Sequence, residues 1–119
     1  MSINLTRPTP VVPVVPAPTA DPRDALMRAL AVAETVVAQL ADRPSSVGVS
    51  YDYSGAYGVE VYFHREPEQV ARFAARYGVE VVEDAEYNGG SSTYTSADVL
   101  VDGVKVRGWS LMRHEAVAA

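Results

Sequence analysis

The chain has 119 residues, a mass of 12.8 kDa and a formal net charge of −5, which is long enough for one domain and too short for two. It contains no cysteine, so disulfide frameworks, thiolate zinc sites, iron–sulfur clusters and a cysteine nucleophile are excluded. Binding to nucleic-acid backbones or anionic membranes needs several cations on one face. With a pI near 4.9, we expect neither a nucleic-acid partner nor a membrane contact.

The apolar stretch near the N-terminus is interrupted by proline every few residues, which is not typical of a secretory h-region. Nowhere does the sequence hold the roughly 18 consecutive apolar residues that span a bilayer. These patterns predict a cytoplasmic protein.

Proline dominates the beginning of the chain: of the eight prolines, six fall within the first 22 residues, namely Pro8, Pro10, Pro13, Pro16, Pro18 and Pro22. Residues 1–20 are therefore predicted to form an extended arm. In a polyproline II helix, Pro10, Pro13 and Pro16 would share one edge. Arg7 completes the basic-x-x-Pro-x-x-Pro pattern of segments that enter aromatic grooves. Three interpretations stay open: the arm packs on its own sheet or a sister subunit, it is a passive disordered tail, or it binds a dedicated polyproline receptor.

A helix is predicted to begin after Asp21, which is a good N-cap, with Pro22 at the first helical position, and to end before Pro44. Its apolar stripe is expected to face the sheet and consists of Leu26, Leu30, Ala33, Val37 and Leu40. Met27, Val32 and Val36 widen this stripe, which leaves room for a second contact, with a partner.

Two alternating runs follow, over residues 47–53 and 57–64, and predict a β-hairpin. In the second run Val59, Val61 and Phe63 share one face, and Tyr62 and His64 share the other. A short helix is then predicted over residues 67–77, opened by a proline and closed by a glycine.

A third strand is predicted over residues 79–87, ending at the Asn88-Gly89-Gly90 turn. The alternation is irregular at Val82 and Glu83, where a bulge or a frayed register is expected. This pattern places the carboxylates of Glu80, Asp84 and Glu86 on one strand face. The simplest interpretation is a solvated acidic edge that resists aggregation, and the alternative is a surface that mimics nucleic acid.

The last hairpin has the strongest local signal, because Asp102-Gly103 between β-branched residues suits a type I′ turn. Counting outward from this turn pairs Val101 with Val104, Val99 with Val106, Ala97 with Gly108, Asp98 with Arg107, Ser96 with Trp109 and Tyr94 with Leu111. One face of this hairpin is then apolar, and the other is polar with aromatic side chains.

Together these elements predict a two-layer α+β fold. A mainly antiparallel five-stranded sheet carries two helices on one face, in the order α-β-β-α-β-β-β. The expected divisions are the arm (1–20), one domain (21–113) and a C-terminal tail (114–119).

Catalytic and metal-binding patterns fail on inspection. His64-Arg65-Glu66 matches the His-x-Glu of zinc deaminases, but the cysteine ligands of those sites are absent. His64 and His114 are better explained as surface residues at strand ends. We expect no catalytic residue, metal or cofactor.

The aromatic side chains indicate a different activity, because tyrosine and tryptophan on a sheet face are typical of partner surfaces. The candidate interaction surface comprises Tyr62, Tyr94, Arg107, Trp109 and Leu111. Alternatively, the same side chains are ordinary half-buried strand residues.

The C-terminal hairpin, Val101-Asp102-Gly103-Val104 through Trp109-Ser110-Leu111, together with a preference for arginine over lysine and richness in alanine and valine, resembles small actinobacterial proteins of no assigned function. Some of these are similar to products of phages and other mobile elements. The resemblance spans about residues 46–113 and implies provenance without any catalytic residue.

The sequence thus favours a non-enzymatic protein-interaction module that associates with itself through the arm and either the open sheet face or the first helix. One alternative is a small-ligand-binding protein or small enzyme that uses Tyr62, His64, Arg107 and Trp109. Another is an acidic inhibitor of a nucleic-acid enzyme.

Overall fold

The protein, seen in a computed structural model, is described over residues 21–51 and 56–114. In chain order its elements are α1 (Pro22–Gln39), β1 (Ser46–Tyr51), β2 (Tyr57–Tyr62), α2 (Pro67–Tyr77), β3 (Val82–Asp84), α3 (Tyr87–Gly90), β4 (Ser92–Val101) and β5 (Val104–Arg113). The fold is α+β, as predicted. The predicted arm (1–20), residues 52–55 between the first two strands and the tail from residue 115 lie outside the described residues.

The five strands form one sheet in the order β1-β2-β5-β4-β3. Three neighbouring pairs are antiparallel, whereas β2 and β5 run parallel, with Val59 beside Val106 and Tyr62 beside Trp109. The prediction of a mainly antiparallel sheet is therefore wrong, because the sheet is mixed. Local hairpin signals predict antiparallel pairs, but the long connection from β2 to β5 allows a parallel pair that they do not report.

The β4–β5 hairpin has the predicted register throughout. Val101 pairs with Val104, and the two turn residues between them, Asp102 and Gly103, have φ angles of 51° and 79°. Both residues thus occupy the left-handed region that a type I′ turn requires. This turn fixes which residues of the two longest strands share a face.

Both α1 and α2 pack on one side of the sheet, called here the covered face, as predicted. The sheet contributes Val59, Val61, Ala97, Val104 and Val106 to the buried core on this side, and the helices contribute Ala29, Val32, Ala33, Val36, Val70, Phe73 and Ala74. This core consists of aliphatic and small side chains around two phenylalanines, Phe63 and Phe73.

The predicted stripe of α1 is only partly correct. The buried stripe runs through Ala29, Val32, Ala33 and Val36, whereas Leu30 and Val37 are 51% and 39% exposed. The two stripes share Ala33 and have the same helical spacing, and their centres differ by a rotation of about 70° about the axis. Smaller side chains let the helix approach the sheet closely, which explains why this stripe faces the core. The helix also ends at Gln39, before the predicted stop, because Leu40 is extended with ψ 142°.

The second helix matches its prediction at both ends. Pro67 occupies its first turn, and Gly78 closes it in the left-handed conformation with φ 68°. At its start the Glu66 N–H donates to the Ser110 Oγ at 3.0 Å. Phe73 packs directly on the backbone of Gly108, where an added Cβ would lie 2.7 Å from the ring. A glycine in β5 is therefore what lets α2 lie close to the sheet.

The third strand is shorter than predicted, and a short segment, α3, follows it, in which the predicted turn at Asn88-Gly89-Gly90 has φ angles of 58°, 71° and 90°. Only Val82–Asp84 pairs with β4, and these include the residues at which the alternation is irregular. The strand ends because the Asp84 Oδ1 accepts a hydrogen bond from the Glu86 N–H at 3.0 Å, which forms an Asx-type turn. Glu80 and Glu86 therefore lie outside the strand, and the prediction of three carboxylates on one strand face is wrong. The predicted element order also changes, because α3 stands between the third and fourth strands.

Candidate functional site

The opposite side of the sheet, called here the open face, carries the aromatic side chains. Side chains alternate between the two faces along each strand, so the register places on this face residues from three central strands. They are Glu60 and Tyr62 from β2, Arg107, Trp109 and Leu111 from β5, and Tyr94 and Asp98 from β4. The five residues of the predicted interaction surface thus share one face.

Five rings form a continuous row across this face, called here the aromatic row: His64, Tyr62, Trp109, Tyr94 and Tyr87. Successive ring centroids are 5.8, 4.4, 5.6 and 5.3 Å apart in that order. Tyr62, Trp109 and Tyr94 are partly buried, whereas Tyr87 is 43% exposed. The three central members of the row lie on three neighbouring strands, so the row crosses the middle of the sheet.

Strand pairing explains why these rings meet. Tyr62 lies directly beside Trp109 in the parallel β2–β5 pair, and Tyr94 lies one diagonal step from Trp109 in the β5–β4 pair. Both positions are within reach of aromatic side chains. Tyr87 joins the row from α3 and stacks on Tyr94 at an interplanar angle of 23°. The backbone reverses at Asn88, whose φ is 58°.

Arg107 lies in the middle of the open face and forms hydrogen bonds with both Asp98 and Tyr94. Its Nε and Nη2 donate to the two carboxylate oxygens of Asp98 at 2.7 and 3.1 Å, and its Nη1 donates to the Tyr94 hydroxyl at 3.1 Å. The hydrogen bond with Asp98 is the main cause that raises the pKa of the guanidinium above its usual value, in spite of partial burial. The arginine is thus engaged within the molecule, and its contact with Tyr94 fixes the position of that ring.

A depression of about 250 Å³ adjoins the row and is lined by Tyr62, His64, Arg65, Leu111 and Arg113. The Tyr62 hydroxyl and the His64 Nδ1 are hydrogen-bonded at 2.8 Å inside this group. Of the four residues expected for a small-ligand site, only Tyr62 and His64 line it. Arg107 lines a separate depression of about 190 Å³ beside Glu60, so the predicted ligand set does not form one pocket.

The two histidines are exposed and engaged with hydroxyl groups at strand ends. His64 bonds to Tyr62 as described, and the Nε2 of His114 lies 2.9 Å from the Thr93 Oγ1. Among residues 21–51 and 56–114, no group of three or more histidine, aspartate or glutamate side chains is placed to hold a metal ion.

A second apolar surface lies on the other layer, where α1 meets the edge strand β1. A groove of about 440 Å³ there is lined by Ala33, Glu34, Val37, Ala38 and Val47. Met27 and Leu30 on the same helix are 59% and 51% exposed. These exposed apolar side chains leave room for a second contact of α1, but two of the three residues predicted to widen the stripe, Val32 and Val36, are buried in the core.

The sequence identified most of the open face but not all of it. Alternation and the hairpin register are sufficient to place Tyr94, Trp109 and Leu111 together. Tyr87 was missed as a member of the row, because the sequence pattern assigned it to a strand that ends three residues earlier. Arg7, Pro10, Pro13 and Pro16 of the predicted arm lie outside the described residues.

Comparisons with models of protein families, with curated proteins and with solved structures found no match. No helix in the described part of the chain has both the length and the apolar character to cross a membrane.

Proposed function

We propose that this protein is a cytoplasmic, non-enzymatic interaction module that associates with itself through the open face of its sheet. The observation that carries the proposal is the aromatic row, a continuous line of five rings on the face that α1 and α2 leave uncovered. Tyrosine, tryptophan and arginine are the residues most enriched among those that dominate binding energy at protein interfaces. Trp109 and Tyr94 lie at the centre of this row, with Arg107 fixed against Tyr94.

The shape of the surface favours a protein partner over a small molecule. Pockets for small ligands typically enclose about 300–1,000 Å³ and bury most of the ligand. The depression beside Tyr62 measures about 250 Å³, and the rings of the row extend well beyond it. A partner that lies across several strands would contact the whole row, whereas a small molecule would contact one end.

Light scattering of the full chain at two concentrations, compared with the Trp109→Ala variant, tests this proposal. We expect a concentration-dependent dimer for the full chain and a dimer dissociation constant raised at least roughly thirtyfold by Trp109→Ala, since a central tryptophan contributes about 2 kcal/mol or more at such interfaces. Leu100→Ala is the matched control, because Leu100 is an apolar residue on the same face, 69% exposed and outside the row.

A second variant protects the test against loss of folding. Tyr87 contacts the row only through its stack on Tyr94, so Tyr87→Ala is expected to fold normally and to weaken the dimer less than Trp109→Ala. Leu30→Ser tests the exposed side of α1 in the same assay. A full chain that remains monomeric at both concentrations would contradict the proposal. If only Leu30→Ser weakens the dimer, the interface lies on α1 and not on the open face.

A further inference from the structure

We infer that the aromatic row binds the proline-rich segment of residues 7–16 from a second copy of this chain, so that two copies exchange their arms. This inference rests on the proposed function and names the element that the open face contacts. Proline-rich segments in the polyproline II conformation bind surfaces lined by aromatic rings, because their shape is preformed and little entropy is lost. The chain carries both halves of such a contact, a segment with four prolines between positions 8 and 16 and a row of five rings.

The spacing of the two halves agrees. A polyproline II helix rises about 3.1 Å per residue, so Pro10, Pro13 and Pro16 would recur about every 9.3 Å along one edge. Neighbouring strands in a sheet lie about 4.8 Å apart, so every second strand recurs at about 9.6 Å. Tyr62 on β2 and Tyr94 on β4 are two strands apart in this sheet, with Trp109 between them. Two successive prolines of a segment laid along the row could therefore meet Tyr62 and Tyr94, whose rings are linked through Trp109 by steps of 4.4 and 5.6 Å.

The charges also agree. Arg7 is the only charged side chain before Asp21, and a carboxylate beside the aromatic row would give its guanidinium a charge-assisted hydrogen-bond partner. Glu60 is exposed, lies on the open face two residues before Tyr62, and forms no ion pair with any residue that the structure describes. Asp98, by contrast, is already paired with Arg107. Glu60 is thus one open-face carboxylate available to Arg7, and the exposed Asp84, which pairs with Tyr94 across the strands, is another.

The position of α1 favours the arm of a second copy over the chain's own arm. The first turn of α1 lies beside Gly103 and Val104, at the turn between β4 and β5 and on the covered side of the sheet. Trp109 lies five residues further along β5, which is about 17 Å, and on the opposite face. From Asp21 to Pro16 the chain spans at most about 16 Å in a polyproline conformation, so its own arm would have to bend sharply around the sheet. Proline-rich linkers are typically semi-rigid, so contact with a second molecule, which would need no such bend, is favoured.

Mixing two variants of the full chain tests the exchange directly, because Trp109 is the only tryptophan. The first variant, Pro10→Ala with Pro13→Ala and Pro16→Ala, keeps the row and loses the proline edge. The second, Trp109→Ala, keeps the arm and has no tryptophan. All tryptophan fluorescence in the mixture then comes from the row of the first variant. We expect its emission to shift to shorter wavelength and acrylamide quenching to fall when the second variant is added.

The matched controls are a double variant, Pro8→Ala with Pro18→Ala, and a chain that carries all four changes of the two test variants. Pro8 and Pro18 lie off the edge that Pro10 shares, so the double variant is expected to dimerise normally. Adding the chain with four changes is expected to leave the fluorescence of the first variant unchanged. Each test variant by itself should show the monomer mass, and their mixture should show a dimer.

Three results would overturn the inference. An unchanged fluorescence in the mixture means that the arm does not reach the row. A dimer that persists in the triple proline variant but is weakened by Trp109→Ala excludes the arm while leaving the proposed function in place. A full chain that is monomeric, with Trp109 better protected than in the triple proline variant, means that each arm covers its own row, which contradicts both the exchange and self-association.

Discussion

The two faces of one sheet differ in what they bury, although the same strands supply both. On the covered face Val59, Val61 and Val106 are almost fully buried under the two helices. On the open face the alternate residues, Tyr62 and Trp109 among them, are only partly buried and contact one another. The apolar side chains of the covered face are thus buried by the chain's own helices. The open face keeps rings whose surfaces are still available, which is the property expected of a partner surface.

The two faces are linked through β5. Gly108 and Ser110 point to the covered side, where they receive Phe73 and the start of α2. Trp109 lies between them and belongs to the row. A change in how α2 packs on β5 would therefore move the strand that carries the centre of the open face. Substitutions on each face therefore separate what the two faces contribute to stability and to association.

Gly108→Ala is expected to have the largest effect, on the covered face. The new Cβ would lie 2.7 Å from the Phe73 ring, so helix and strand must move apart, and overpacking of this kind costs about 1–3 kcal/mol. Urea unfolding measures the loss. Gly48→Ala is the matched control, because an added Cβ at that strand glycine meets no atom within 4 Å. Equal stability of the two variants would contradict the close packing of α2 on β5.

Ser110→Ala is expected to destabilise by about 1–2 kcal/mol, since the backbone N–H of Glu66 loses its acceptor near the core. Ser110 is 1% exposed, so water is poorly placed to replace the lost hydroxyl. Thermal unfolding of this variant and of Ser46→Ala, an exposed serine on β1, measures the difference. If both variants unfold at the temperature of the unaltered chain, the hydrogen bond does not hold the start of α2.

Arg107→Gln is expected to have the smallest effect on stability and a clear effect on association. Its ion pair with Asp98 is well exposed on both sides, and such pairs contribute less than about 1 kcal/mol. Loss of the contact with the Tyr94 hydroxyl frees a ring of the row, so the dimer should dissociate more readily. Lys105→Gln, an exposed cation on the same strand and face, is the control for charge. The proposed role of Arg107 fails if both variants dimerise equally.

Sequence patterns predicted the local elements where one strong signal governed them. The Asp102-Gly103 turn fixed the β4–β5 register, and Pro67 with Gly78 fixed the second helix. Sequence patterns failed where two different local structures fitted the same pattern of residues. In α1, two overlapping stripes satisfy the same period, and packing in the folded protein buries Ala29, Val32 and Val36 and leaves Leu30 and Val37 exposed. After α2, the Asp84 side chain closed a turn that the alternating pattern had extended into a longer strand.

By itself the sequence determined the class of the fold, the two hairpins and the sharing of one face by Tyr94, Trp109 and Leu111, because these depend on turn chemistry and on the two-residue period of a strand. The parallel pairing of β2 with β5, which places Tyr62 beside Trp109, is set by the packing of the whole fold. That packing also brings Tyr87 into the row from α3. Pairing between strands distant in the chain depends on how the helices pack across the whole sheet, and no local pattern of residues records that choice.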